Sequence, residues 1–159
     1  MVDQALIADL GKAIIFKDLP GESLVIAAGF GHLEMFTEDQ LIIREGQENP
    51  GLHLVLRGEV EVFLPREKTD SSDPRATQIR LGSLAGGECF GDFSLIDGNP
   101  ASASVSARTP CALFKIPSEN FHRMADSNHT IAMVIYRNML EILVQRARVH
   151  TRELDMLIF

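Results

Sequence analysis

Residues 87 to 105 read GECFGDFSLIDGNPASASV. Glycines surround two acidic residues at the start, a Gly98-Asn99-Pro100 turn follows, and small hydroxylated residues then alternate with apolar ones. Glycine lets a backbone approach a ligand closely, and the turn separates two ordered segments. No Lys or Arg lies between Gly82 and Ser106. We therefore interpret this loop as a cradle of the kind that holds an anion, but one without a basic side chain of its own.

In the segments around this loop, apolar residues recur at every second position, as they do in β-strands. Every second residue from 52 to 56 is leucine, and apolar alternation resumes at Val60 after Gly58, which predicts a bend or bulge between two strand segments. A first β region is predicted after Phe36. Further strands are predicted over 79–84, 103–108 and 111–116.

Helices are predicted on both sides of the strands. The first thirty residues have helical spacing interrupted at 18–21, which fits two short helices. Ser118 is a candidate N-cap for a helix to about Met124, and from Ile131 onward neither Gly nor Pro interrupts a long helix. We expect a mainly β fold with flanking helices, a β-roll or jelly roll followed by a long C-terminal helix.

The domain boundaries follow from this order of elements. Residues 1–126 are predicted to form the roll with its N-terminal helices, and residues 127–159 the long C-terminal helix of the same domain. A chain of 159 residues is long enough for one buried core and short for two.

The long helix carries a seven-residue apolar repeat, which suits a seam with a partner helix. A second apolar row, Ile135, Met139 and Ile142, could face the roll, and the helix could also serve only to cover its own domain. His150 is the seam residue with an ionisable imidazole, and it sits either in the seam or at a solvated end of it. We predict a homodimer through Tyr136, Leu140, Leu143, Ala147, His150, Leu154 and Leu157.

Composition excludes several classes of function. With 15 basic against 22 acidic residues the formal charge is −7, so nucleic acid is not expected as a direct partner. No apolar run approaches the length of a membrane span, and the N-terminus has no basic region of a secretion signal, so we expect a cytoplasmic protein without membrane contact. Cys89 and Cys111 have no metal-binding spacing and are expected to be reduced thiols.

Catalysis is not expected either. The five histidines lie on unrelated predicted elements without His-x-His or His-Glu-x-x-His spacing, which a metal site of this kind would need. The chain also has no Gly-x-Ser-x-Gly elbow and no Walker loop. We therefore predict neither an enzyme nor a metal site.

The residues themselves resemble a known family. The stretch 46–62, GQENPGLHLVLRGEVEV, together with 87–105, is similar to the cyclic nucleotide-binding domain of catabolite-activator-type regulators, kinase regulatory subunits and gated channels. That family has a phosphate-binding cassette of the form F-G-E-x-[AS]-L and, several residues later, P-R-x-A-[TS]-V. The matching residues here are Phe90, Gly91, Asp92, Phe93, Ser94 and Leu95, then Pro100, Ala101, Ser102, Ala103, Ser104 and Val105.

Two departures from this motif fall on the binding chemistry. Asp92 stands where the family's Glu meets the ribose hydroxyl, and Ala101 stands where its Arg meets the cyclic phosphate. Loss of a charge-assisted pair costs about 1.5–3 kcal/mol, so the resemblance implies weak or no binding of cyclic AMP or cyclic GMP. Arg146 is the candidate replacement cation, because the last helix closes over the nucleotide in the resembling fold. The predicted ligand-binding residues are Gly91, Asp92, Phe93, Ser94, Ala101, Ser102 and Arg146.

The resemblance leaves two functions open. One is a regulatory module that senses a cyclic nucleotide weakly and signals through a dimer, with a possible protein partner and no bound cofactor. The alternative is a dimerisation or docking protein that has lost nucleotide binding. Transcription factors of the superfamily continue into a helix-turn-helix domain, and since this sequence stops at Phe159 no DNA-binding domain is expected.

Overall fold

In the computed structural model the described residues are 3–68 and 73–158, with side chains described as far as Met156. Within these ranges, eight strands form two antiparallel sheets of four strands each. The strands are β1 His32–Phe36, β2 Leu41–Ile43, β3 Leu52–Arg57, β4 Glu59–Leu64, β5 Ile79–Ala85, β6 Cys89–Phe90, β7 Ser104–Ala107 and β8 Cys111–Ile116.

The two sheets have the strand orders β1-β8-β3-β6 and β2-β7-β4-β5, so consecutive strands β3 and β4 belong to different sheets. Gly58 makes the corner between them with φ +85°, and a Cβ at this position would collide with the carbonyl oxygen of Pro110. Only glycine fits such a corner without strain. The bend predicted at Gly58 is therefore confirmed.

Helices flank the strands on both sides, and the predicted fold class, a β-roll with flanking helices and a long C-terminal helix, is confirmed. The N-terminal region has the two predicted short helices and, between them, a 3-10 turn. The helices are α1 Gln4–Leu10, the 3-10 turn Ile14–Phe16, α2 Gly21–Ala28, α3 Asp92–Asp97, α4 Ser118–Ser127 and α5 His129–Ile158.

Two details of the prediction were wrong. Ser118 is the first helical residue of α4, while Pro117 occupies the cap position, where no side chain accepts a hydrogen bond. Proline has a fixed φ that is compatible with a helix start, but it offers no side-chain acceptor to the first amides of α4. The β region also begins earlier than expected, because β1 precedes the predicted start after Phe36.

The long helix α5 is anchored by its first half. Ile131, Ile135 and Met139 are buried in the larger core cluster, against the N-terminal helices and β3. Burying each of these side chains contributes about 1.5–3 kcal/mol. The amide of Asn138, itself buried, donates to the carbonyl oxygens of Ile15 and Lys17 at 3.0 and 2.8 Å. One apolar row of α5 thus faces the roll, and its C-terminal half extends past the cassette.

Candidate functional site

A cavity of about 490 Å³ lies between the cassette, β5 and the second half of α5. Its floor is the smaller core cluster, which includes Phe90, Ala101 and Val105. Gln145, Arg146 and Val149 form the wall on α5. The volume lies within the range of small-molecule sites.

Gly91 fixes the start of the cassette helix. Its φ is +82°, and a Cβ on it would collide with the carbonyl oxygen of Gly51, which immediately precedes β3. The absence of a side chain therefore lets α3 begin directly against the neighbouring strand. The amide of Leu95, one turn along, donates to the Gly91 carbonyl at 3.4 Å.

Ala101 is held in place by its backbone. Its carbonyl accepts from the amide of Gly46 at 2.8 Å, and its amide donates to the carbonyl of Gln47 at 2.9 Å. Its methyl group is buried in the smaller core cluster and lines the cavity. A longer side chain at this position would extend into the cavity, whereas the methyl group provides neither charge nor hydrogen bond to a ligand.

Arg146 of α5 closes onto the cassette. Its Nη1 donates to both carboxylate oxygens of Asp92, at 3.2 and 2.9 Å, and its Nη2 donates to the carbonyl oxygen of Cys89 at 2.8 Å. Asp92 is buried, with 4% of its side chain exposed, against 29% for Arg146. A buried carboxylate needs such compensation, and the planar guanidinium supplies it together with a backbone contact.

The thiol of Cys89 lies next to this ion pair without taking part in it. Burial raises the pKa of Cys89 to about 12, and the neighbouring Asp92 charge raises it further, against the opposing effect of Arg146. The thiol therefore stays protonated at neutral pH and provides no nucleophile in the cavity.

The structure brings the seven predicted ligand-binding residues together, since Gly91, Asp92, Phe93, Ser94, Ala101, Ser102 and Arg146 all line this cavity. Gly91 is the N-cap of α3, without a side-chain hydrogen bond, and the carboxylate of Asp92 in the first turn accepts from Arg146. Arg146 reaches the expected level of the cassette, but it is already engaged.

Sequence reasoning missed a part of the cavity wall. Gln145 and Val149 on α5, and Gly82 and Leu84 on β5, line the cavity as well. The proximity of Gln145 and Val149 to Arg146 in the sequence could have indicated the residues on α5. The heptad repeat was interpreted only as a dimer seam, and β5 has no motif that marks a binding wall. His150, predicted for the dimer seam, also lines the cavity and pairs with Glu153 at 3.2 Å.

The remaining seam residues lie mostly at the surface. Leu140 and Leu154 are 61% and 60% exposed. Ala147 is exposed and Leu143 half-buried. Tyr136 is 37% exposed and makes an edge contact with Phe121 of α4, at 5.7 Å between ring centroids. The side chain of Leu157 lies outside the described residues.

Residues 3–68 and 73–158 contain neither a cluster of metal ligands nor a membrane-spanning helix. No group of three or more His, Cys, Asp or Glu side chains there could hold a metal ion. None of the helices in these ranges combines the length and the apolar character needed to cross a membrane.

Comparison with known proteins gives a consistent result. The family model described as "Cyclic nucleotide-binding domain" matches residues 33–128. A cAMP-dependent protein kinase regulatory subunit of Eremothecium gossypii is 25% identical over 83% of this chain and 26% of its own length. The cyclic AMP receptor protein of Thermus thermophilus is 27% identical over 91% of this chain and 62% of its own length. This chain thus spans less than two thirds of either relative.

Solved structures share the fold. The catabolite activator protein of Thermus thermophilus superposes with a TM-score of 0.73 at 25% identity, covering 91% of this chain and 63% of that protein. A cyclic nucleotide-binding domain from Methylobacillus flagellatus gives 0.75 at 21% identity, covering 90% and 76%. The family model extends from β1 to the end of α4, and so includes both sheets and the whole cassette. This chain therefore belongs to the cyclic nucleotide-binding domain family.

Proposed function

We propose that this chain is a non-catalytic regulatory module with a degenerate phosphate-binding cassette, which binds cyclic AMP and cyclic GMP weakly or not at all. The observation that carries this proposal is the buried methyl group of Ala101, at the position where the family motif has Arg. A guanidinium would offer two parallel donors to the phosphate oxygens. Its loss costs about 1.5–3 kcal/mol, a tenfold to hundredfold weakening.

The engagement of Arg146 supports the same conclusion. To replace the missing guanidinium, Arg146 would have to leave the buried carboxylate of Asp92 and the carbonyl of Cys89. Asp92 would then remain as an uncompensated negative charge beside a negative phosphate, which is unfavourable on both counts. The replacement cation considered from the sequence is therefore better described as an internal partner of the cassette.

The module is proposed to act as a homodimer through α5. The inward row of α5 is buried in its own roll, while Leu140 and Leu154 of the predicted seam are largely exposed. Apolar residues that repeat every seven positions on a solvated helix face suit pairing with a second copy of that helix. The effector that receives the signal is then a separate protein or a further part of a longer chain.

We also infer a cytoplasmic location. Cys89 and Cys111 are both free and buried, so neither stabilises the fold through a disulfide. Proteins with free buried cysteines and without disulfides are typical of reducing compartments.

Calorimetric titration with cyclic AMP and cyclic GMP tests the binding proposal. The wild type is compared with Ala101→Arg, which restores the guanidinium, and with Ala101→Gln, which is a shorter and uncharged hydrogen-bond donor. We expect Ala101→Arg to bind about tenfold to hundredfold more tightly than the wild type and Ala101→Gln to bind no better. Micromolar binding by the wild type would overturn the proposal.

The alternative function is a dimerisation or docking protein that has lost ligand binding altogether. The exposed apolar row of α5 favours it, because that surface needs no ligand in order to pair. In this case neither the wild type nor Ala101→Arg would bind a nucleotide, while light scattering would still show a dimer.

A further inference from the structure

We propose that the cavity between the cassette and α5 takes an uncharged, largely apolar small molecule. This inference rests on the proposed function, since it requires that the cassette does not select a cyclic phosphate. It is carried by three features of the cavity: the charges on its walls, its apolar lining and an open position at Gly82.

The charges of the wall are already paired with one another. Four lining side chains can carry charge, Asp92, Arg146, His150 and Glu153. Arg146 is held by Asp92 and the carbonyl of Cys89, and His150 lies 3.2 Å from Glu153. Within the described residues the lining thus has two carboxylates, one guanidinium and one imidazole, and each of the two basic groups already lies beside a carboxylate that an anionic ligand would have to displace.

The lining between these charges is mainly apolar. Ile43, Val62, Leu84, Phe90 and Val149 come from both walls of the cavity. Contact between this surface and an apolar molecule releases water and is favourable in free energy. Binding of a charged molecule there is unfavourable, because its charge loses hydration. The hydroxyl of Ser102 and the amide of Gln145 also line the cavity, and they provide neutral groups that can orient a ligand.

Gly82 keeps a part of the cavity open. It lies in β5 opposite Val62, and both residues line the cavity. A Cβ at Gly82 would meet no atom within 4 Å, and its φ is not in the left-handed region. Gly82 also flanks a register shift in the pairing of β4 with β5, where glycine is common, and its missing side chain leaves this part of the cavity open.

A matched pair of dyes tests this inference. N-phenylnaphthylamine is uncharged and apolar, and anilinonaphthalene sulfonate has the same ring system with one negative charge; both fluoresce more strongly in apolar surroundings. We expect wild-type protein to bind the neutral dye at least about tenfold more tightly than the sulfonate. Ala101→Arg should raise the affinity for the sulfonate about tenfold or more, because it adds a cation to the wall.

Location in the cavity is tested by filling it. Gly82→Trp should weaken binding of the neutral dye about tenfold or more, whereas Ala85→Trp, on the same strand and outside the lining, should leave it unchanged. Val149→Trp fills the cavity from the opposite wall at a position that is 48% exposed, so it guards against a folding defect of Gly82→Trp. Circular dichroism of each variant verifies the fold.

The outcomes separate the two proposals. Equal affinity for both dyes in the wild type, or neutral-dye binding that survives both filling variants, overturns the inference on the ligand and leaves the proposed function intact. Displacement of the neutral dye by micromolar cyclic AMP overturns the proposed function itself. Neutral-dye binding that is lost on filling the cavity and resists millimolar cyclic AMP supports both.

Discussion

Arg146 and Asp92 join the last helix to the short cassette helix through two hydrogen bonds of 3.2 and 2.9 Å, across 54 residues of sequence. The carboxylate is buried, and its neutralisation depends on where α5 lies. Any rotation or shift of α5 that withdraws Arg146 leaves that charge uncompensated. The pair therefore couples the position of the long helix to the integrity of the cassette.

A double-mutant cycle measures this coupling. Arg146→Met should lower the free energy of unfolding by about 3 kcal/mol, because it leaves the buried Asp92 without a partner. Asp92→Asn should cost less, since Arg146 is partly exposed and can be solvated. The double variant should recover most of the loss caused by Arg146→Met, as measured by urea denaturation. Additive effects of the two changes would contradict the coupling.

Substitution of two glycines that share a left-handed backbone conformation distinguishes the cost of that conformation from the cost of a steric collision. Gly91 and Gly98 flank α3 with φ values of +82° and +72°. An added Cβ collides with the Gly51 carbonyl at Gly91 and meets nothing within 4 Å at Gly98. Gly98→Ala should therefore cost only the left-handed conformation, about 1 kcal/mol, and Gly91→Ala clearly more. Equal losses in denaturant titrations would show that β3 does not confine the cassette.

The cassette and the roll could be predicted because local signals and the motif agree there. Gly58 forms the predicted corner, and the alternation around it places β3 and β4 correctly. β1 is a short strand whose burial contradicts its apolar pattern: Leu33 and Met35 are 51% and 75% exposed, while Glu34 lies closer to the interior. An inverted pattern in a short strand carries no sequence signal for burial.

The chemistry of the site was harder to predict than its location. All seven candidate residues line one cavity: the motif fixes six of them along the chain, and the long helix of the resembling fold placed Arg146 at the same level. The pairing of Arg146 with Asp92 depends on the rotation of α5 against the roll, and this rotation is set by buried residues such as Ile135 and Asn138. No spacing rule connects residues on separate elements, so the charge balance of the cavity emerges only from the fold.

The α5 seam gives a third prediction. Leu140→Glu should abolish the proposed dimer, because it places a like charge on both helices at one contact, and it should leave the roll folded since Leu140 is 61% exposed. Met156→Glu, 74% exposed and off the seam, is the matched control and should stay dimeric. Light scattering over a concentration series measures the mass of each. A wild type that is monomeric at all concentrations would remove the dimer from the proposal.

A buried histidine makes stability depend on pH. His53 is 1% exposed, and its ring stacks on Phe90 with 4.9 Å between centroids. Burial, followed by the charge of Lys115, lowers the pKa of His53 from 6.5 to about 4, against the opposing effect of Glu34. Between these pH values the unfolded chain binds a proton that the folded protein does not. The free energy of unfolding should therefore fall as the pH drops through this window, by up to about 3 kcal/mol.

His53→Gln removes this titration. The carbonyl oxygen of Gly51 lies 3.3 Å from His53 Nδ1, and the Gln amide keeps a hydrogen-bonding group near it. The variant can be less stable at pH 7, but its stability should change less between pH 6.5 and 4 than that of the wild type. His122→Gln, at an exposed position on α4, should retain the wild-type slope. Urea denaturation across this window measures all three proteins. Identical slopes for the wild type and His53→Gln would contradict the lowered pKa of His53.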